Sequence, residues 1–148
     1  MTIRYRAMTT DDYDAVTRLW DATDGVAYHP QDADSPECIA RYLQRNAGLS
    51  QVAEEDGELV GAVLCGHDGR RGSLHHLAVA EPHRGRSVGR SLVERALAGL
   101  AGEGIRRCNI LVFADNAGGL AFWDRLGWQR YPGELVFLMK STAAGRPR

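Results

Sequence analysis

The segment Leu77-Ala78-Val79-Ala80-Glu81-Pro82-His83-Arg84-Gly85-Arg86-Ser87-Val88-Gly89-Arg90 decides how this chain is read. It passes from the end of an apolar strand through a turn and a basic, glycine-containing loop into a helix. A helix start gathers backbone N–H groups that lack intrahelical partners at the positive end of the helix dipole, which makes it an anion site. Gly85 and Gly89 allow a ligand to approach the backbone closely. Arg84, Arg86 and Arg90 stand where the dipole disfavours cations and where a purely structural helix prefers Asp or Glu. An anion such as a pyrophosphate in the loop reconciles the two; the bland alternative is a solvated basic face. A Rossmann loop needs three glycines in an early β-α-β unit, and a Walker loop needs Gly-Lys-Ser/Thr. Neither fits, because the loop has two glycines and the chain's only lysine is Lys140.

Upstream, residues 3–7 read as a first strand. Thr9 or Thr10 caps a helix running to Asp24, with Tyr13, Val16, Leu19 and Trp20 at helical spacing. Ser35-Pro36 starts a second helix, with a cap and then proline at the first helical position. Asp56-Gly57 between 50–55 and 58–67 is a hairpin signal, and 67–72 is a second turn before a strand at 73–80. Downstream, Val88, Leu92, Val93, Ala96, Leu97 and Leu100 form a helical stripe ending near Gly102. Residues 107–113 are a compact apolar strand, 116–126 a short helix stopped by Gly127, and 128–131 and 134–140 closing strands. The order is β-α-α-β-β-β-α-β-α-β-β, an α/β domain around a mixed sheet.

Length and composition set the bounds. The chain has 148 residues, 44% hydrophobic and 25% charged, which is one globular domain and not a disordered chain. Residues 1–140 are read as that domain and 141–148 as a flexible tail. Lys+Arg 18 against Asp+Glu 19 leaves a net charge of −1, so no nucleic-acid partner is expected. No apolar run of roughly 18 residues exists, so no membrane span is expected, and the N-terminus lacks a signal-peptide stretch. Cys38, Cys65 and Cys108 form neither a disulfide framework nor a metal motif, which points to a cytoplasmic protein without a metal site.

With these residues in place, the chain resembles the GNAT superfamily of N-acetyltransferases. The family's acetyl-CoA signature, Arg/Gln-x-x-Gly-x-Gly/Ala after a Leu-x-Val strand end, is matched by Arg84-Gly85-Arg86-Ser87-Val88-Gly89 after Leu77-Ala78-Val79. A second element, Asn-x-x-Ala-x-x-Phe-Tyr followed by Leu-Gly-Phe, is echoed in Asn116 to Trp123 and Leu126-Gly127-Trp128. The text around Val52-Ala53-Glu54 and Asp68-Gly69-Arg70 is similar to a small bacterial branch, the YpeA type; likeness to ribosomal-protein-alanine acetyltransferases is weaker. The resemblance implies a mixed, mostly antiparallel sheet of about seven strands flanked by about four helices. Strands four and five would splay, with the pantetheine arm of acetyl-CoA in the gap beside Leu77, Ala78 and Val79. The pyrophosphate would rest on Arg84, Gly85, Arg86, Ser87, Val88, Gly89 and Arg90, and Asn116, Phe122 and Trp123 would border the cofactor. A homodimer is a family habit.

Two positions depart from the family. Ser87 replaces the usual glycine and is expected to have helical dihedrals, where a serine costs little; a positive φ there would leave the site strained or lost. Trp123 replaces a tyrosine thought to protonate the departing thiolate; indole supplies no acidic proton. Trp123 packs beside the cofactor or serves as a core aromatic. The implied reaction is direct attack by an amine on the acetyl thioester in a ternary complex, with a base removing a proton. Strand alternation puts Ser73, His75, Leu77 and Val79 on one face, making His75 the leading base; a bulge would favour His76. The residues 19–40 hold Asp21, Asp24, Asp32, Asp34 and Glu37 with no Lys or Arg, an acidic lip toward a cationic amine or simply a solvated loop. Trp20, Asp24, Tyr28 and His29 are candidate acceptor contacts, the acceptor being a small-molecule amine or a protein N-terminus. A non-catalytic acyl-CoA sensor is the alternative.

Overall fold

The computed structural model describes residues 2–143. Five strands form one sheet in the order β1 (Arg4–Ala7), β2 (Gln51–Glu55), β3 (Glu58–His67), β4 (Gly72–Val79) and β5 (Cys108–Asn109). The first three contacts are antiparallel and the last is parallel. The turn between β2 and β3 has Asp56 and Gly57 at φ 53° and 79°, the left-handed pair that a two-residue hairpin turn demands. The next turn is closed by the Asp68 carboxylate, which accepts the N–H groups of Arg70 and Arg71 at 2.8 and 2.9 Å.

Four helices cover the sheet. Helix α1 (Tyr13–Asp21) follows a single 3-10 turn at Thr10–Asp12 and stops at Asp21, short of the expected Asp24. Helix α2 (Pro36–Arg45) starts as expected, with the Ser35 hydroxyl accepting the Cys38 N–H at 3.2 Å. Helix α3 (Val88–Gly102) carries the long apolar stripe, and α4 (Ala117–Arg125) is capped by the Asn116 side chain, which accepts the Gly119 N–H at 2.9 Å. Strand alternation splits the core. Ala53, Val63 and Leu74 pack with Val88, Leu92 and Leu100 of α3, whereas Val52, Ala62 and Ala78 pack with Val16, Trp20 and Ile39 of α1 and α2. Each Val, Leu or Ile side chain among them contributes roughly 1.5–3 kcal/mol on burial, and each alanine less.

The last third departs from expectation. Among the described residues the sheet has five strands, not about seven. Residues 128–131 and 134–140 form no strand, and Leu135, Val136, Phe137, Leu138 and Met139 are all at least 68% exposed. The expected strand at 107–113 is reduced to Cys108–Asn109. A strand needs a paired edge and a covered face. Past Asn109 the chain leaves β4, so Leu111 and Phe113 also stay exposed and offer no ladder to the segments that follow. Of the expected tail, residues 144–148 lie outside the described residues.

Candidate functional site

The site is built on the unequal edges of β4. One edge pairs with β3 from Gly72 to Val79. The other meets β5 only at Gly72↔Cys108 and Ser73↔Asn109, so from Leu74 onward it has no strand beside it. The strands separate after Ser73 because β5 ends at Asn109, in place of the expected splay of two continuing strands. An open strand edge can hydrogen-bond an extended ligand as an added strand would.

The loop beyond β4 begins with a 3-10 turn, Glu81–His83, in which His83 N–H donates to Ala80 O at 2.8 Å and Arg84 N–H to Glu81 O at 3.2 Å. The next six amides, of Gly85, Arg86, Ser87, Val88, Gly89 and Arg90, donate to no group among the described residues. Gly85 (φ 78°) and Ser87 (φ 64°, ψ 17°) are left-handed. Such residues within a turn gather successive N–H groups into an anion-binding nest. Ser87 thus lacks the helical dihedrals expected of it, and its hydroxyl does not cap α3. The first turn of α3 contains no acid, so nothing within the helix answers its dipole.

The three arginines are deployed differently. Arg84 Nε donates to Val79 O at 2.9 Å across the loop. The Arg86 guanidinium is held by Glu55 at 2.9 Å, whose second oxygen meets His83 Nε2 at 3.0 Å. Arg90 lies 3.7 Å from Glu94 on the exposed helix surface, a weak contact. Arg86 therefore offers the site its amide, with its side chain already engaged. At Gly89 a Cβ would lie 3.1 Å from the Phe122 ring, so this glycine lets α4 close on the start of α3. Phe122, Trp123 and Trp128 stack edge to face at 5.0 and 4.9 Å, which makes Trp123 part of an aromatic cluster against the α3 core. Asn116 serves as the α4 cap.

The other face of β4 carries the acid–base groups. The register slips between Ala62↔Ala78 and Leu64↔His75, and His76 adopts φ 54°. This bulge places two residues, His76 and Leu77, opposite Val63 alone. The expected single face for Ser73, His75, Leu77 and Val79 is consequently broken. Leu77 and Val79 pack toward α3, while His75 meets Tyr42 of α2 and His76 meets Trp20 of α1. His76 Nε2 lies 3.0 Å from both carboxylate oxygens of Asp34, and the His76 carbonyl accepts from Trp20 Nε1 at 3.1 Å.

Asp34 is buried. It also accepts His29 N–H at 2.8 Å, and its carbonyl accepts the Tyr13 hydroxyl at 2.6 Å. Burial alone would raise the Asp34 pKa, but the hydrogen bonds from His76 and His29 outweigh it and leave the carboxyl below its ordinary range. Desolvation, and then the neighbouring His76, lower the His75 pKa, while the Asp34 charge opposes them. Of the acceptor candidates, Trp20 is buried in the core, Tyr28 is half-buried against it at 5.8 Å, and Asp24 and His29 are exposed. Gly25 lies close enough to Asn116 that a Cβ would sit 2.7 Å from its amide nitrogen, so the α1–α2 connection reaches the α4 cap.

Asp34 and Glu55 are the site groups that the sequence reading did not single out. Asp34 stood among five acids of one lip with nothing to separate it from the rest, and Glu55 read as a hairpin residue. Concavities of about 360 and 310 Å³ lie elsewhere, against Tyr5, Ser91 and Arg95 and against Tyr13, Pro36 and Ile39. Among the described residues no group of three or more His, Cys, Asp or Glu is placed to hold a metal, and no helix is long and apolar enough to cross a membrane.

A strand with a free edge that leads into an unsatisfied amide loop can take an extended anionic ligand. Residues 13–128 match the model of the acetyltransferase (GNAT) family. An acetyltransferase of Pectobacterium atrosepticum is 33% identical over 125 residues, covering 84% of this chain and 86% of that protein. The PaiA N-acetyltransferase of Thermoplasma acidophilum, solved in complex with coenzyme A, superposes with a TM-score of 0.78 at 19% identity, over 90% of this chain and 94% of its own. The acetyltransferase AAC(6')-Iy, solved with a bisubstrate analogue, gives 0.73 at 19% identity over 95% and 99%. The chain belongs to the acetyltransferase (GNAT) family. It is an acyltransferase that uses acetyl-CoA to acetylate an amine. The non-catalytic sensor is not favoured.

Proposed function

We propose that residues 85–90 hold the acetyl-CoA diphosphate through their backbone N–H groups, with Arg84 supplying charge beside them. The observation that carries this reading is the run of six amides without internal partners at the dipole end of α3. The residues fit the cofactor: Gly85 leaves open space around its Cα, the first turn of α3 contains no acid, and the open edge of β4 from Leu74 to Val79 suits the amides of a pantetheine arm. Acetyl-CoA, when bound, supplies the activated acyl group. Ala78 is buried in the strand, and main-chain N–H groups around the bulge at His76 and Leu77 would serve the thioester oxygen.

In this reading His76 acts as general base for the acceptor. With Nε2 donating to Asp34, its Nδ1 carries the lone pair. The amine lone pair attacks the thioester carbonyl carbon and the C–S bond breaks. The ammonium proton passes to His76 Nδ1, and the thiolate takes its proton from water, since a thiol of pKa about 8.5 leaves without strong acid help. The bulge supports His76 over His75 in this role. The acceptor is a small-molecule amine or a protein N-terminus that enters past Tyr28 and the exposed Asp24 and His29.

Thiol release measured across a panel of amines, from pH 6 to 9, tests the reading. His76→Ala is expected to lower kcat by about 10²-fold and to remove the limb of the profile that rises with pH. His75→Ala is expected to keep that limb. The reverse outcome would assign the base to His75, and tight acetyl-CoA binding without turnover on any amine would revive the sensor.

A further inference from the structure

Glu55 has no part in the chemistry above, yet it is a nearly buried carboxylate tied to the loop that carries the cofactor. It ends β2, beside the rigid Asp56-Gly57 turn, and 28 and 31 residues separate it from its partners His83 and Arg86. Each of its oxygens has one partner, at 3.0 and 2.9 Å. Those partners flank Arg84 and Gly85, so the carboxylate anchors the basic loop to the sheet at two points. The anchored stretch leads directly into Ser87, whose left-handed backbone persists only if its surroundings over-determine it.

We infer that Glu55 is a positioning residue for cofactor binding: by clamping His83 and Arg86 it holds the 85–90 amides in their diphosphate-ready arrangement. The inference rests on the diphosphate reading of that loop. It makes Arg86 a brace and not a phosphate ligand. The opposite role has the same contacts and the opposite sign, since a Glu55 that merely withholds Arg86 from the diphosphate would weaken binding in the native protein. Preorganisation lowers the ordering cost of binding, so loss of the brace should weaken affinity without removing any group that touches the ligand.

The experiment compares two donors, acetyl-CoA and acetylpantetheine, the latter lacking the diphosphate. Steady-state kinetics on wild type, Glu55→Ala, Glu55→Gln, Arg86→Ala and the double variant yield the preference, the ratio of kcat/KM for the two donors. Glu55→Ala is expected to lower that preference about 5- to 30-fold, through KM for acetyl-CoA and not through kcat. Arg86→Ala should match it, the double variant should be no worse than the stronger single, and Glu55→Gln should recover part of the loss by keeping one acceptor oxygen. A ratio cancels general damage to the fold, which lowers both donors alike. A Glu55→Ala variant with unchanged or increased preference, or additive effects of the two substitutions, overturns the brace while leaving the diphosphate reading intact. A wild-type protein that does not distinguish the donors overturns that reading and the brace together.

Discussion

Two polar clusters flank β4 and are finished in opposite ways. At the loop, six successive N–H groups find no partner among the described residues and the adjoining helix start has no acid. At the bulge, Asp34 is served by His76, by the His29 N–H and through its carbonyl by Tyr13. A buried polar group left unpaired costs more than a formed bond returns. At Gly85, Arg86, Ser87 and Arg90 the open donors lie on exposed residues, where solvent can serve them, whereas Val88 and Gly89 are buried. The unsatisfied cluster thus fits the extended anion proposed for it. The satisfied cluster is complete in itself and says little about the amine that visits it, which is why the donor is far better defined than the acceptor.

The strongest way to break this contrast is charge reversal at the open cluster. Arg84→Glu removes the Nε donor to Val79 O and sets a carboxylate beside the amides proposed to hold the diphosphate. Losing one or two charge-assisted contacts of about 1.5–3 kcal/mol each, with repulsion added, should weaken coenzyme A binding by about 100-fold or more. Calorimetric titration reads it. Affinity within a factor of about three of wild type would remove Arg84 from the site and leave the open amides without a reason.

The closed cluster is tested by acid. The folded Asp34 carboxyl lies below its ordinary value of 3.8, so between the two values the unfolded chain binds more protons than the folded one. Its stabilisation is complete above the ordinary value and is lost as the pH falls through the lowered folded value. Asp12, held by Arg6 at 2.7 and 2.8 Å, has its burial offset in the same way and adds to the same acid limb. Asp34→Asn should lower stability at pH 7 by about 1–3 kcal/mol, because His76 and the His29 amide lose a charged acceptor. It should also flatten the decline of Tm below about pH 4. Parallel Tm–pH curves for the two proteins would show that Asp34 is not the closed centre described.

The contrast also separates what was legible in the residues from what was not. Local instructions were legible: Asp56-Gly57 demanded its hairpin and Ser35-Pro36 its helix. Arrangements that join distant residues were not. Nothing near Glu55 announces Arg86, 31 residues on. The bulge that moves His76 across β4 arises from register with β3 and has no signature in alternating sequence. The apolar run at 135–139 reads as a strand by composition, but strands require an edge, and β5 ends at Asn109. Asp34 illustrates the same limit, because only folding selects it from the five acids of its lip.

The smallest expected effect addresses the one residue at which the loop contradicts its sequence. Ser87 stands at φ 64° with no cap bond to compensate. A left-handed residue with a Cβ costs roughly 1–2 kcal/mol, and glycine at the same dihedrals does not bear that cost. Glycine also enlarges the entropy of the unfolded chain, which returns about 0.4–1 kcal/mol of the gain. Ser87→Gly should therefore stabilise the protein by about 0.5–1 kcal/mol, a rise in Tm of about 1–3 °C for a domain of this size. Coenzyme A affinity should change by less than about threefold, since the ligand is read by the amide and not by the hydroxyl. A fall in Tm would mean that Ser87 is not held left-handed. A large loss of affinity at unchanged Tm would make its hydroxyl a phosphate ligand, and the loop would then depend on a side chain where the open amides alone were thought to suffice.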